Sequence, residues 1–414
     1  MNIKYNFNFS YLVIVIIFSI ALIIVVYINN NQPLSKPIRV GILHSLSGTM
    51  ANSEKPLVEI LQTEIDKVNN TGGLLGRRIE SVISDGRSDP KHFAKEADRL
   101  ITKEKVDVIF GCWTSICRKA VKPVVEKYNH LLFYPVQYEG LEQSPNIIYT
   151  GSVPNQQIIP GLIWAINNFG SRVYLLGSDY IFPRAANFIM RDIANIKNAE
   201  VVAERYKPLA SDNFDEIIAE IKKLKPDVIL NTINGDSNKY FFSKRKKEMI
   251  DNIPVVSFSI NESEIKYIDE AKSETHYAVW SYFQTINSQL NIDFISRYHE
   301  KWGVSKVISD PMVTSYIGFK LWVQAVRSVE STNQQLIHNV LRESSINSPL
   351  GLISVDSRNH HLQKKVRIGQ SQKSGQFKII WESKKALIPA PYPSYRSRSD
   401  WNKIVHALSV KGSD

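Results

Sequence analysis

Cysteine is nearly absent from this chain of 414 residues; there are two, Cys112 and Cys117. Two are too few for a disulfide framework or a structural zinc site. Their spacing leaves a local bridge open, subject to geometry, and two buried thiols are the favoured reading. Several catalytic signatures are also missing. No G-x-S-x-G, H-E-x-x-H, P-loop or Gly-rich dinucleotide fingerprint occurs. Gly72-Gly73-Leu74-Leu75-Gly76 precedes a strand-like segment instead of following one, which makes it a turn. His360-His361 falls in a turn-like stretch without partner ligands. No metal or cofactor is therefore expected. Concentrated charge is missing too. The net charge is +11, but it is scattered. The densest run, Lys244-Arg245-Lys246-Lys247, reads as the solvated face of a helix. No aromatic platform or DNA-reading motif accompanies it, so nucleic acid is not an expected partner.

What is present is ordinary for a packed protein, with 43% hydrophobic and 22% charged residues. The length suggests two domains after any targeting segment. Residues 11–28 are apolar apart from Ser19 and are long enough to span a bilayer. No small-x-small cleavage site follows, and no cysteine lies nearby to carry a lipid. An uncleaved signal anchor is the expectation, with a buried core helix as the alternative. Lys4 on one side faces Lys36 and Arg39 on the other, so charge sets the orientation poorly. A polar linker closes this first unit, 1–37.

From Ile38 the pattern alternates. Strand-like runs at 38–43, 77–84, 106–110 and 131–134 are separated by helical stretches. The rhythm restarts after Pro154, with strands read at 173–176, 228–230 and 254–257. Strands joined by helices of this length imply parallel sheets with crossover connections. Two such runs predict two α/β lobes. The expected division is 38–153 with 284–349 returning to it, 154–283 with 350–388 returning to it, and a tail at 389–414. Helices are read at 314–330 and 333–342, and strands at 351–355, 365–369 and 377–381. The Pro389-Ala390-Pro391-Tyr392-Pro393 segment excludes helix locally.

Ligands of open parallel sheets bind beyond the carboxyl ends of the strands, and four loops there are unusual. Gly111-Cys112-Trp113-Thr114-Ser115 carries a sharp turn, and Ser115 stands at a helix start, as a ligand contact, a cap or both. Tyr134-Pro135-Val136-Gln137-Tyr138-Glu139-Gly140 places aromatics and an amide in a loop fixed by proline, although an aromatic at a strand end is more often core. Gly177-Ser178-Asp179-Tyr180 is the third. The fourth is Asn231-Thr232-Ile233-Asn234-Gly235-Asp236-Ser237, where Asp236 could equally cap the following helix. Aromatic faces, hydroxyls, amides and carboxylates together suit a small, neutral, planar, polar ligand. Urea has one acceptor oxygen and four N–H donors. A site that desolvates it must answer each of them.

At these loops the chain resembles the urea-binding proteins of ABC-type urea importers and, more distantly, the amide sensor of amidase operon regulation. The resemblance runs over nearly all of 38–401. It includes Arg118-Lys119-Ala120-Val121, Ser144-Pro145-Asn146-Ile147, Pro154-Asn155-Gln156-Gln157, Pro183-Arg184 and Pro391-Tyr392-Pro393 besides the four loops. It implies a type I periplasmic binding fold: two doubly wound parallel-sheet lobes, joined by a multi-strand hinge, that close on a ligand. The implied ligand residues are Trp113, Thr114, Ser115, Tyr134, Val136, Gln137 and Tyr180, with Asn234, Gly235 and Asp236 from the urea-like run. The implied partners are urea or a short-chain amide, ABC permease subunits, and the membrane through the N-terminal helix. The globular part would then be periplasmic or extracellular. Departures from the family are the retained apolar helix and Cys117, where a small residue is commoner. A ligand-sensing module of the same fold is the alternative function. An amidase is disfavoured, because Ser115 lacks a base in the sequence.

Overall fold

The computed structural model describes residues 36–411 together with Ile14 and residues 16–20. The proposed anchor at 11–28 lies otherwise outside the described residues; the described part is helical and exposed. Among the described residues no helix is long and apolar enough to cross a membrane.

The first sheet is parallel, with strands β1 (Ile38–His44), β2 (Ile79–Asp85), β3 (Val108–Gly111), β4 (Leu132–Tyr134) and β5 (Ile147–Tyr149) in the order β2-β1-β3-β4-β5. The second contains β6 (Arg172–Ser178), β7 (Glu200–Lys207), β8 (Val228–Thr232), β9 (Val255–Ser257) and β10 (His276–Trp280), also parallel. A small antiparallel sheet of β11 (Ser345–Ser348), β12 (Gly351–Val355) and β13 (Leu362–Gln363) follows. Strands β14 (Arg367–Ser371) and β15 (Phe377–Glu382) then join the second sheet antiparallel, beside β10.

Helices carry the crossovers, and their starts obey local chemistry. Asp89 accepts the His92 N–H at 2.6 Å ahead of helix Pro90–Thr102, whose first residue is a proline. Ser288 and Asn333 cap Gln289–Trp302 and Gln334–Leu341 in the same way. Strand alternation then sorts the cores. Val173 and Leu175 face one hydrophobic cluster, while Tyr174 and Leu176 face another on the opposite side of the sheet. In the first lobe Phe110 stacks on Phe133 at 4.8 Å and meets Trp322 edge-on.

Five strands escaped the sequence reading, β5, β7, β10, β11 and β13. Strand β7 runs along the sheet edge and is only partly buried, so charged residues interrupt its apolar pattern. The tail also holds helix Arg398–Lys411, whose Trp401 is fully buried and donates its indole N–H to Pro393 O at 2.8 Å. The basic run needs a correction as well. Arg245 is fully buried, and its guanidinium donates to the carbonyls of Asp251 and Ile253, both at 2.6 Å. It closes the end of helix Ser237–Lys247 onto the following loop.

The chain passes between the sheets at 150–157, 280–285 and 362–367, and these crossings are bonded to one another. Ser152 and Ser281 share a hydroxyl bond of 3.0 Å, and Lys364 Nζ donates to Thr150 O at 2.6 Å. Asp310 Oδ2 accepts from the backbone N–H groups of Ser281 and Tyr282 at 3.0 and 2.9 Å. Burial pushes the Lys364 ammonium down to about 8, against the opposing field of Asp310. Asp310→Ala would leave two buried N–H groups unmet at the middle crossing. It should cost about 3 kcal/mol, read as a lower guanidinium chloride midpoint with an unchanged slope.

Candidate functional site

The seven loops that follow β1, β3, β4, β5, β6, β8 and β9 lie at the carboxyl ends of parallel strands, where such sheets collect ligands. Here the lobes touch directly. Gln137 Nε2, after β4, donates to Phe258 O, after β9, at 3.0 Å. Ser53 Oγ donates to Glu264 Oε1 at 2.9 Å. Gly235 comes so close to the first lobe that a Cβ there would stand 3.2 Å from Thr49 Oγ1 and 3.5 Å from Met50 Sδ. Its φ of +66° suits a residue without a Cβ.

The sequence-read residues divide into groups. Trp113, Tyr134, Val136, Gln137 and Tyr180 are all buried. The Tyr134 hydroxyl donates to Trp113 O at 2.5 Å, which ties the β3 and β4 loops together. Burial pushes the Tyr180 hydroxyl well up, and the fields of Tyr134 and Glu139 add to it, so the second lobe's tyrosine faces the first lobe's loops. Val136 presents its carbonyl to Gly151, where a Cβ would lie 1.8 Å away. Asn234 receives its position from Ser178 Oγ, which accepts the Asn234 N–H at 3.0 Å.

Three residues are placed differently from the simplest expectation. Thr114, not Ser115, caps helix Ser115–Lys127, accepting the Cys117 N–H at 3.2 Å. Ser115 is turned inward, donating to Glu139 and accepting from Arg118 Nη1 at 3.0 Å. Asp236 occupies the cap position of its helix without a side-chain cap bond and is exposed at the cleft mouth. The two cysteines correct the reading of free thiols. The tight turn at Cys112, with φ +66°, brings its Cα to 5.7 Å from that of Cys117, and a disulfide closes around Trp113, Thr114 and Ser115.

Behind the loops lies a buried polar scaffold. Arg118, with no exposed surface, donates to Glu139 and Glu142 at 2.9 Å each and lies 4.3 Å above the Tyr138 ring. Burial works against the Glu142 carboxylate, but Arg118 and Lys119 prevail and hold it down at about 2. Tyr138, Tyr149 and His361 stack in series. The Tyr138 hydroxyl meets His361 Nε2 at 2.6 Å, and His361 Nδ1 meets Asn359 O at 2.6 Å. Burial keeps this imidazole neutral, with its pKa near 3. Among the described residues no group of three or more His, Cys, Asp or Glu is placed to hold a metal.

Around the cleft several buried polar atoms have no hydrogen-bond partner among the described residues. They are Trp113 Nε1, Gln137 Oε1, Gln157 Oε1, and the hydroxyls of Thr49 and Ser259. Gln157 was not singled out from sequence as a site residue. Its Nε2 donates to Phe258 O at 3.1 Å, the same carbonyl that holds Gln137. Two carboxamides from opposite lobes thus share one acceptor, and each keeps a free oxygen. Glu264 was also missed; it lies in a short helix, Glu262–Ile265, that carries no periodic signal.

Two α/β lobes joined by three crossings and closed at their strand ends form the architecture of the two-lobed binding proteins. Residues 38–398 match the periplasmic binding protein domain family, and the chain belongs to it. Solved structures share the fold. A solute-binding protein of an ABC transporter from Rhodopseudomonas palustris BisB5, in complex with 3,4-dihydroxybenzoic acid, superposes with a TM-score of 0.75 at 20% identity, covering 85% of this chain and 99% of that one. The branched-chain amino acid transporter substrate-binding protein LivJ from Streptococcus pneumoniae, in complex with isoleucine, gives 0.71 at 18%, covering 86% and 100%. Among curated proteins, the Leu/Ile/Val-binding protein BraC3 of Rhizobium johnstonii is 23% identical over 46% of this chain. A limonene hydroxylase of Geobacillus stearothermophilus is 32% identical over 34% of it. The chain spans only 53% and 26% of the lengths of these two relatives.

The lobe-to-lobe bond at Glu264 has a pH signature. Its carboxyl is buried against Ser53, accepts the Asn261 N–H at 3.2 Å, faces Asp236, and contacts no cation among the described residues; Lys239 lines the same opening, and nearby Glu54 is taken by His44 at 3.0 Å. Burial first, then Asp236, pushes it from 4.5 up to about 8. The closed state thus binds this proton more tightly than an open, solvated one. Closure is fully favoured below 4.5 and loses that support as pH rises to 8. Ligand affinity should fall by up to about tenfold per pH unit across this window. Titration calorimetry from pH 5 to 8 should show the slope in wild type and a flat profile in Glu264→Gln.

Proposed function

We propose that this protein is an extracytoplasmic solute-binding protein that captures urea or a short-chain amide between its lobes and delivers it to an ABC-type importer. The observation that carries the reading is the set of unpartnered polar atoms in the cleft, Gln137 Oε1 and Gln157 Oε1 as acceptors and Trp113 Nε1 as donor. A ligand with N–H groups at one end and a carbonyl oxygen at the other answers this set. A benzoate-type carboxylate, as bound by one fold neighbour, would call for more donors, and Arg118 is already spent on Glu139 and Glu142.

Delivery to a permease is in keeping with family membership and with the transporter components among the fold neighbours. A catalytic role has less support. The Ser115 hydroxyl is donated to Glu139, whose carboxylate is clamped by Arg118, so it is not a free nucleophile.

Calorimetric titration with urea, acetamide and isoleucine tests the reading. Urea should bind saturably, one to one, and lead the panel. Trp113→Phe keeps an aromatic ring and removes the donor, while Gln137→Leu removes the acceptor together with the lobe-to-lobe bond to Phe258 O. Each should weaken urea binding by about 5- to 150-fold, the worth of roughly 1–3 kcal/mol for a buried group left unmet. Tight isoleucine binding with none for urea would overturn the ligand and leave a binding protein for amino acids.

A further inference from the structure

A second concavity lies away from the cleft, on the outer face of the first lobe. It is a cavity of about 280 Å³ between the last turn of helix Ala51–Asn70 and the second half of helix Asp310–Val329. Glu64 lies at its floor, 2% exposed, and Glu64 Oε1 is buried without a hydrogen-bond partner among the described residues. Lys67, Lys320 and Arg327 line the walls with apolar Phe319 and Val323. Arg297, from helix Gln289–Trp302, completes the group; its field reaches both Glu64 and Lys320, and its Nε is buried without a partner among the described residues.

Favourable interaction of cations with helix C-termini would account for Lys67 and Arg327, which stand in the last turns. It does not account for a buried carboxyl with an unmet oxygen, or for Lys320, whose ammonium is pushed down by burial and then by Lys67, Arg297 and Arg327. Four cations around one carboxyl leave three positive charges in excess at a concave, partly desolvated place, which attracts an anion. The carboxyl then discriminates among anions. Burial raises its pKa, and Lys67, Arg297 and Lys320 work against that; as a carboxylate it repels an oxyanion without a proton and accepts a hydrogen bond from one that retains an O–H.

We propose that this pocket is a second ligand site, for a phosphate group that still carries a proton, with the Lys and Arg side chains on the anionic oxygens and Glu64 accepting from the P–O–H. Inorganic phosphate meets that description at neutral pH, as does part of a phosphate monoester population; sulfate does not. The site is independent of the cleft and of its ligand.

The test is titration of the full protein with inorganic phosphate, glycerol phosphate and sulfate at pH 7 and constant ionic strength, followed by calorimetry. Phosphate should bind saturably, one to one, and at least tenfold more tightly than sulfate. The preferred source is whichever of inorganic phosphate or the ester binds more tightly. Glu64→Gln removes the negative charge that repels sulfate and adds an N–H donor, and should erase the preference over sulfate. Lys320→Met should weaken phosphate binding at least tenfold. Both variants should retain the wild-type circular dichroism spectrum. Equal affinities for phosphate and sulfate, no saturable binding of either phosphate probe, or an unchanged preference in folded Glu64→Gln would each overturn the proposal.

Discussion

The cleft depends on one buried guanidinium. Arg118 reaches three acceptors at once, Glu142 through Nε, Ser115 through Nη1 and Glu139 through Nη2. It also lies against the rings of Tyr134 and Tyr138. A charge with no solvent contact is tolerated only where opposite charge and hydrogen bonds surround it. Two carboxylates against one arginine would leave a buried negative charge, and Lys119, at 3.3 Å from Glu142, restores the balance from the surface. The requirement runs in both directions. The β3 loop must deliver Arg118 and Ser115 to the place where the β4 loop delivers Glu139 and Glu142. Meeting it fixes Trp113 and Gln137 relative to each other before any ligand arrives.

The same scaffold explains why the loop after β3 can hold an unmet indole N–H. Trp113 is bracketed by the Cys112–Cys117 disulfide, its carbonyl is taken by Tyr134, and the next residue caps a helix. A side chain held from three directions cannot turn to find another partner, so its donor remains available at little reorganisation cost. Asn155, Gln156 and Gln157 show a similar division of labour. Asn155 and Gln156 bond to the C-terminal segment through Ile388 O and Leu387 O, while Gln157 points to Phe258 O.

The fold was largely legible because parallel strands buried on both faces read as short apolar runs between turn residues, as at Val40–Leu43, Val108–Phe110 and Val228–Leu230. Edge position hid β7, and three-residue length hid β5. The cleft loops were legible for a different reason. Polar residues at the end of a buried strand, such as Asn231, Thr232 and Asn234, break the apolar pattern and mark the loop, and the structure ties them to Ser257, Leu176 O and Ser178. The reading failed where a partner lies far away in sequence. Ser115 looked like a ligand contact because nothing local shows Glu139, 24 residues on, taking its hydroxyl. The bridge was left open in the sequence because spacing alone does not reveal the left-handed backbone at Cys112 that accompanies it. Glu264 belongs to the same class, since only closure of the lobes brings it to Ser53.

Closure itself follows from how the acceptors are divided. Gln137 belongs to the first lobe, and Gln157 begins the helix that packs into the second. Gln157 is held inside the second lobe, donating to Phe258 O and Val279 O, whereas Gln137 of the first lobe reaches Phe258 O only when the lobes meet. Closure removes water from around both side-chain oxygens, and each then calls for an N–H donor. A ligand that contacts one lobe stabilises open and closed states equally and shifts nothing. One that spans both oxygens stabilises the closed state alone. The buried Glu264 opposes closure when ionised, so the ligand's contribution decides the balance near neutral pH. Opposing a buried carboxyl to a hydrogen-bond set left incomplete between the lobes would make the closed shape a report of occupancy, the property that the proposed importer reading requires.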